Sequence, residues 1–183
     1  MKPFEERLRY EYALTPESLV VDCGGYEGQF ARTIHRRYGC RVWVFEPVFH
    51  ATLIETLADV YPKVRVFPVG LGTRNASVEL KIKGNMTGEF AEGDPVTATL
   101  WDAVDALNEP TALLKLNCEG AEFAILEAIL ERGNPTLYDD IQVQPHPGVP
   151  DCEARWNRIH DRLTVTHELT FHEPWCWSNY RIK

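Results

Sequence analysis

The sequence contains no long hydrophobic run: no uninterrupted apolar stretch exceeds four residues. A membrane-spanning helix needs about 20 apolar residues in a row, so no membrane partner is expected. Basic residues are not in excess. Nineteen Lys and Arg stand against 27 Asp and Glu, giving a formal charge of −8. That field repels phosphate and argues against nucleic acid as a partner. There is no internal repeat and no low-complexity segment, which excludes solenoids and disordered arrays. The segment 1–10 is charged and has no apolar stretch, so a secretory signal is not expected there. The five cysteines, Cys23, Cys40, Cys118, Cys152 and Cys176, are odd in number and widely spaced. This pattern reads as free thiols in a reducing, cytoplasmic compartment.

What remains is an ordinary globular composition, 44% hydrophobic and 25% charged over 183 residues. One domain covering 1–183 is expected, large enough to bury a core without staples. Short apolar runs alternate with helical periodicities. Leu19 to Asp22 reads as a buried strand, followed by a turn with Gly24, Gly25 and Gly28. Phe30, Ile34 and Tyr38 mark a helix that Gly39 stops. Arg41 to Phe45 is a second strand. A helix from His50 to Tyr61 places Leu53, Leu57 and Val60 on one face, and Val64 to Pro68 is a third strand. Ser77 to Ile82 and Val96 to Leu100 read as a hairpin around a loop at 84–94. A short helix over Leu100 to Leu107 is expected, with Thr99 and Asp102 at capping-box-like spacing.

The second half continues the alternation. Ala112 to Asn117 is a strand, Ala121 to Arg132 a helix and Ile141 to Gln144 a strand. Asp151 caps a helix carrying Trp156, Ile159 and Leu163. The runs His167 to His172 and Trp177 to Ile182 are joined by too short a turn for a parallel crossover, so they must pair antiparallel. Trp101, Trp156, Trp175 and Trp177 read as core packing. The result is an α/β sheet of seven strands, mostly parallel, covered by helices on both faces as a three-layer sandwich.

Three motifs fall at the carboxyl edge of that sheet, where open α/β sheets bind ligands. The first is Asp22-Cys23-Gly24-Gly25-Tyr26-Glu27-Gly28. Its glycines allow a sharp turn and close ligand approach, and a helix N-terminus offers free N–H groups. Its spacing is D-x-G-x-x-x-G, not the dinucleotide fingerprint. The second is Glu46, ending the second strand roughly 20 residues after the turn, where a ribose-binding acid stands. Its two oxygens suit both ribose hydroxyls. Alone, each motif has a plainer reading as a turn or a solvated acid; together they favour a nucleoside-containing ligand. The third is Lys115-Leu116-Asn117-Cys118-Glu119-Gly120-Ala121-Glu122, in which Asn117 and Glu119 emerge at the ligand edge. A helix dipole also accounts for Glu119 and Glu122. Lys115 lies inside a buried strand and needs a partner or a route to water.

His146, between Pro145 and Pro147, also follows a strand and is the candidate general base, with Glu122 and Glu119 behind it. The spacings of His146, Cys152, His172 and Cys176 match no common zinc pattern, so no metal is expected. Asp139 and Asp140 begin a strand at the opposite edge and read as solvated charges.

The strings VVDCGGYEG, VFEP and LLKLNCEGAEFAIL resemble the FkbM-like family of S-adenosylmethionine-dependent methyltransferases. The resemblance covers roughly residues 18–146. It implies a class I methyltransferase fold, Rossmann-like with a C-terminal antiparallel hairpin. It also implies S-adenosylmethionine as cofactor and O-methylation of a sugar or small-molecule hydroxyl. Asp22 to Gly28 would then form the cofactor loop, Glu46 and Pro47 would lie at the ribose, Gly70 near the adenine, and Asn117 and Glu119 in the site. Many family members have Asp where this chain has Asn117. A non-catalytic cofactor- or partner-binding protein of the same fold is the alternative, with an NAD-dependent oxidoreductase behind it. A seven-stranded core uses nearly all of the chain, so the acceptor would be held by edge loops, including 84–94, or by a second copy in a homo-oligomer.

Overall fold

The structure, a computed structural model, describes residues 4–83, 86–88 and 93–183. In chain order its elements begin with β1 (Leu19–Cys23), α1 (Gln29–Tyr38), β2 (Arg41–Phe45), α2 (His50–Leu53) and β3 (Val64–Phe67). Next come β4 (Gly70–Gly72), β5 (Ala76–Lys83), β6 (Met86–Gly88), β7 (Asp94–Asp102) and α3 (Ala103–Ala106). The last are β8 (Thr111–Leu116), α4 (Ala121–Arg132), β9 (Tyr138–Val143), α5 (Cys152–Thr166), β10 (His167–Glu173) and β11 (Trp177–Ile182).

Seven strands form the main sheet in the order β10-β11-β9-β8-β1-β2-β3. Neighbours from β9 through β8, β1 and β2 to β3 are parallel. β11 is antiparallel to both β9 and β10, so the chain closes in the expected hairpin. β1 is the first strand laid down and has β2 on one side and β8 on the other. The strand order therefore reverses beside it, and the crevice outside such a switch point is where open sheets bind ligands.

Strand alternation divides the interior into two cores. Leu19, Val21 and Cys23 face one of them, together with Leu114, Leu116, Ile141 and Val143. There they meet Phe123, Ile125, Leu126 and Ile129 of α4 and Trp156, Ile159 and Leu163 of α5. Val20, Val42, Val44 and Leu113 face the other, against Phe30, Ala31 and Ile34 of α1 and Leu53 and Leu57 after β2. Each large aliphatic side chain so buried contributes about 1.5–3 kcal/mol relative to exposure. Gly39 ends α1 in a left-handed conformation at φ 64°, as its sequence position suggests.

Five expectations need correction, the first being Trp101, which is exposed and not part of the core. The helix after β2 passes into a π-helical turn at Ile54–Ala58. The extra residue per turn rotates Val60 off the buried face, and it is exposed while Leu53 and Leu57 are buried. The predicted hairpin joins a separate four-stranded sheet, β4-β7-β5-β6. In it β7 runs on to Asp102 because Gly70–Gly72 pairs with Leu100–Asp102 in parallel. The helix that follows is thereby cut to Ala103–Ala106, and Asp102 caps it by accepting from Val104 and Asp105 N–H, where Thr99 shared the expected capping pattern. Asp140 is buried, not solvated. β11 inserts beside β9 and brings Asn179 and Arg181 to it, with Asn179 Nδ2 at 2.7 Å and Arg181 Nε at 3.1 Å.

Candidate active site

Two strand-to-helix turns stand side by side at the carboxyl edge, one after β1 and one after β8. The first is tightly wound: Gly24, Tyr26 and Gly28 all have positive φ, at 82°, 47° and 76°. At Gly24 a side chain is impossible, because a Cβ would lie 1.9 Å from the Asn117 carbonyl oxygen. The two turns are packed backbone to backbone at that point. Asn117 N–H also donates to the Cys23 carbonyl at 3.1 Å.

Glu46 fixes the first turn from β2. Its Oε2 accepts from Tyr26 N–H at 2.9 Å; its Oε1 accepts from Val48 N–H at 2.9 Å and Phe49 N–H at 3.1 Å. Each carboxylate oxygen has about two lone-pair positions, so Oε1 is filled and Oε2 keeps one. As arranged, Glu46 can take one ribose hydroxyl directly, not both as expected.

The second turn is held from α4. Glu122 is buried, accepts from Gly120 N–H at 2.9 Å, and also accepts from Cys118 N–H. Its Oε1 lies 3.0 Å from His146 Nδ1, and Glu119 Oε2 lies 3.5 Å from His146 Nε2. Burial opposes a charge on His146, but hydrogen bonds and attraction from Glu119 and Glu122 outweigh it and push the imidazole up to about 10. At neutral pH the ring is therefore protonated between two carboxylates.

A cavity of about 570 Å³ opens over both turns, within the usual range for small-ligand sites. Gly24, Tyr26, Glu46, Pro47, Gly70, Asn117 and Glu119 line it, seven of the expected site residues drawn from four separate segments. Gly25, Glu27 and Gly28 do not line it; Gly25 and Gly28 face Val44, Leu53 and Leu57, where a Cβ would collide. Asp22 does not reach it either. It is fully buried beneath the turn and paired with Lys115 Nζ at 2.7 Å, which supplies the partner that the lysine requires.

The expected catalytic pair is placed differently as well. Glu122 is sealed in the turn and His146 is not in the cavity wall. Both imidazole nitrogens face carboxylates and carry protons, so the ring has no lone pair with which to act as a base. Of the three clamped groups only Glu119 borders the cavity. Among the described residues no cluster of three His, Cys, Asp or Glu side chains is arranged to hold a metal. No helix among them is long and apolar enough to cross a membrane.

Sequence reasoning missed the far wall. Val78, Glu79 and Leu80 of β5, Leu100 of β7 and Thr73 line the cavity from the second sheet, and Arg155 lines it from α5. Arg155 is held by Glu127 through Nε at 2.9 Å and Nη2 at 2.6 Å. Alternation in β5 signalled an exposed strand, but nothing in it signalled which surface the strand covers. Tyr26 and Phe49 meet edge to face at 5.1 Å in the wall. The Cys118 thiol, also in the wall, is held well above its ordinary range by a hydrogen bond with Cys23 and by burial. It stays protonated and is no nucleophile at neutral pH. Most of the loop 84–94, to which the sequence assigns acceptor choice, lies outside the described residues.

The remaining orphan in the wall is chemically telling. Asn117 Oδ1 is buried and has no partner among the described residues. A buried acceptor left bare is costly, and a turn of the Asn117 amide toward the cavity would bring it within reach of a donor there.

Solved structures share this fold. Methyltransferase FkbM from Methylobacillus flagellatus KT superposes with a TM-score of 0.60 at 18% identity, over 92% of this chain and 44% of that one. The 23S rRNA methyltransferase ErmE gives 0.54 at 18% identity, over 97% and 66%. A putative methyltransferase, yhhF from Escherichia coli, gives 0.54 at 13% identity, over 100% and 89%. The fold is that of the class I methyltransferases. The chain spans less than half the length of the first of these structures and about two thirds of the second. No family model matches the sequence, and no curated protein matches it.

Proposed function

We propose that this chain is an S-adenosylmethionine-dependent methyltransferase acting on a hydroxyl of a sugar or other small molecule. The observation that carries the reading is the cavity at the switch point, with Glu46, the glycine turn and Asn117 in its wall. The residues present fit the cofactor's chemistry. The free position on Glu46 Oε2 accepts a ribose hydroxyl. With its amide turned toward the cavity, Asn117 accepts from the ammonium of the methionine portion through Oδ1, a role that needs no negative charge, so Asn serves where the resembled family often has Asp. Phe45, Leu71 and Leu100 give an apolar slot for a planar base.

When bound, the cofactor supplies a methyl group on a sulfonium, an electrophile that needs no metal. The protein's part is then positioning above all, which can supply about 7–11 kcal/mol of a barrier. Glu119, at the cavity wall, replaces His146 as the group that accepts the hydroxyl proton. Protonated His146 holds Glu119 in place. The acceptor is not expected to be anionic, because the cation in the described wall, Arg155, is already neutralised by Glu127.

Incubation with methyl-labelled S-adenosylmethionine and a panel of sugars, small alcohols and small amines tests this. Label transfer that is lost in Glu119→Gln supports it; transfer to amines only would contradict the hydroxyl assignment. Cofactor binding without turnover is the second reading, favoured by the engagement of both His146 nitrogens. Tight binding of S-adenosylhomocysteine with no transfer to any panel member would favour it.

A further inference from the structure

One buried cation exceeds what packing requires. Lys115 sits in the middle of the parallel sheet, in register with Asp22 on one side and Gln142 on the other. Its side chain is 3% exposed, and its ammonium lies 5.6 Å from the Phe30 ring centre. The three ammonium donors find three acceptors in one short segment. They are Asp22 Oδ1 at 2.7 Å, the Gly24 carbonyl at 2.8 Å and the Cys23 carbonyl at 3.4 Å. Burying an ion pair costs desolvation that an apolar pair would avoid. Here Asp22 Oδ2 is moreover left buried and unpartnered among the described residues. A pair kept for stability alone would not leave that oxygen bare.

The two carbonyls are what the extra donors hold. With the Gly24 C=O turned down onto Lys115, trans peptide geometry turns the following Gly25 N–H the opposite way, away from the sheet interior. We infer that Lys115 is a positioning residue, which pins the glycine turn from beneath so that its backbone keeps one fixed face toward the cavity. This rests on the reading of the cavity as a cofactor site. Lys115 touches no ligand; it acts through Gly24, which lines the wall.

The test is the double variant Asp22→Leu/Lys115→Met, which replaces the ion pair by apolar side chains and keeps stability near the parent's. Two readouts are taken. Affinity for S-adenosylhomocysteine by calorimetry should weaken by about tenfold or more. Hydrogen exchange should accelerate by about tenfold at the turn amides Gly24, Tyr26 and Gly28, whose acceptors are the Phe45 carbonyl, Glu46 Oε2 and the Gly25 carbonyl. At Val42, bonded to the Lys63 carbonyl, exchange should not change. Parental affinity together with parental turn exchange would overturn the proposal, and so would an equal acceleration at Val42, the mark of a merely global effect. If the parent chain binds no S-adenosylhomocysteine, the functional reading fails, and the exchange pattern alone decides the role of Lys115. If the double variant does not fold, Asp22→Asn/Lys115→Gln carries the same comparison.

Discussion

The two turns at the sheet edge are built alike and held oppositely. Both pass through left-handed residues: Gly24, Tyr26 and Gly28 in the first, Glu119 and Gly120 in the second. Both are pinned from below by one buried charged side chain. Under the first turn the charge is positive, and Lys115 binds carbonyl oxygens. Under the second it is negative, and Glu122 binds the amides of Cys118 and Gly120. The sign of the buried charge decides which backbone groups remain for a ligand. With the Cys23 and Gly24 carbonyls held from below and the Gly24, Tyr26 and Gly28 amides bonded to other acceptors, the first turn keeps one fixed face at Gly24 and Tyr26 toward the cavity; with its amides consumed, the second presents the side chains of Asn117 and Glu119. One turn can therefore hold the invariant parts of a cofactor, while the other supplies side-chain chemistry.

Substitutions at the turns sharpen this contrast. Gly24→Ala strikes the point of backbone contact and should have the largest effect. Left-handed backbone and overpacking each cost about 1–3 kcal/mol, so unfolding in urea should show a loss near their sum, and ligand binding should vanish. A variant of parental stability would show that the turns are not locked together. Glu122→Ala leaves the Cys118 and Gly120 amides without an acceptor and His146 with Glu119 alone, and should cost about 3 kcal/mol in the same measurement. Loss below about 1 kcal/mol would mean that the second turn is not held as described. Glu46→Ala removes the acceptor of three amide N–H groups, those of Tyr26, Val48 and Phe49. It should cost about 1–2 kcal/mol of stability and at least tenfold in S-adenosylhomocysteine affinity.

A further effect is one of pH. The His146 imidazole is raised in the folded state from 6.5 to about 10. The clamp's contribution is therefore fully present below pH 6.5 and is lost as pH rises toward 10. The parent's melting temperature should fall across that window, and the slope should flatten in His146→Gln. Equal slopes would place the titration elsewhere.

How far the sequence reveals these features depends on whether the signal is local. The seven main strands show themselves as short apolar runs, and the antiparallel close of the sheet follows from the length of one turn, Glu173 to Cys176. Glu46 and the glycines are recognisable by type and spacing. The parallel pairing of Gly70–Gly72 with β7 is not, because three residues carry no period. The fate of Asp22 and Glu122 depends on neighbours 93 and four residues away, and on which face each strand or helix turns inward. An acid at a strand end looks the same in sequence whether it borders a cavity, as Glu46 does, or lies sealed beneath a turn. Lys115 is the exception that could have been followed further: a lysine in a buried strand demands an anion, and Asp22 on the adjacent strand is the natural one.

The account stands or falls on the ligand of the first turn. Calorimetric titration of the unsubstituted chain with S-adenosylhomocysteine, with NAD as the comparison, measures it directly. One site per chain, no heat from NAD, and loss of the signal in Glu46→Ala are the expected results. Binding of NAD with none of S-adenosylhomocysteine, or S-adenosylhomocysteine binding that Glu46→Ala leaves intact, would contradict it.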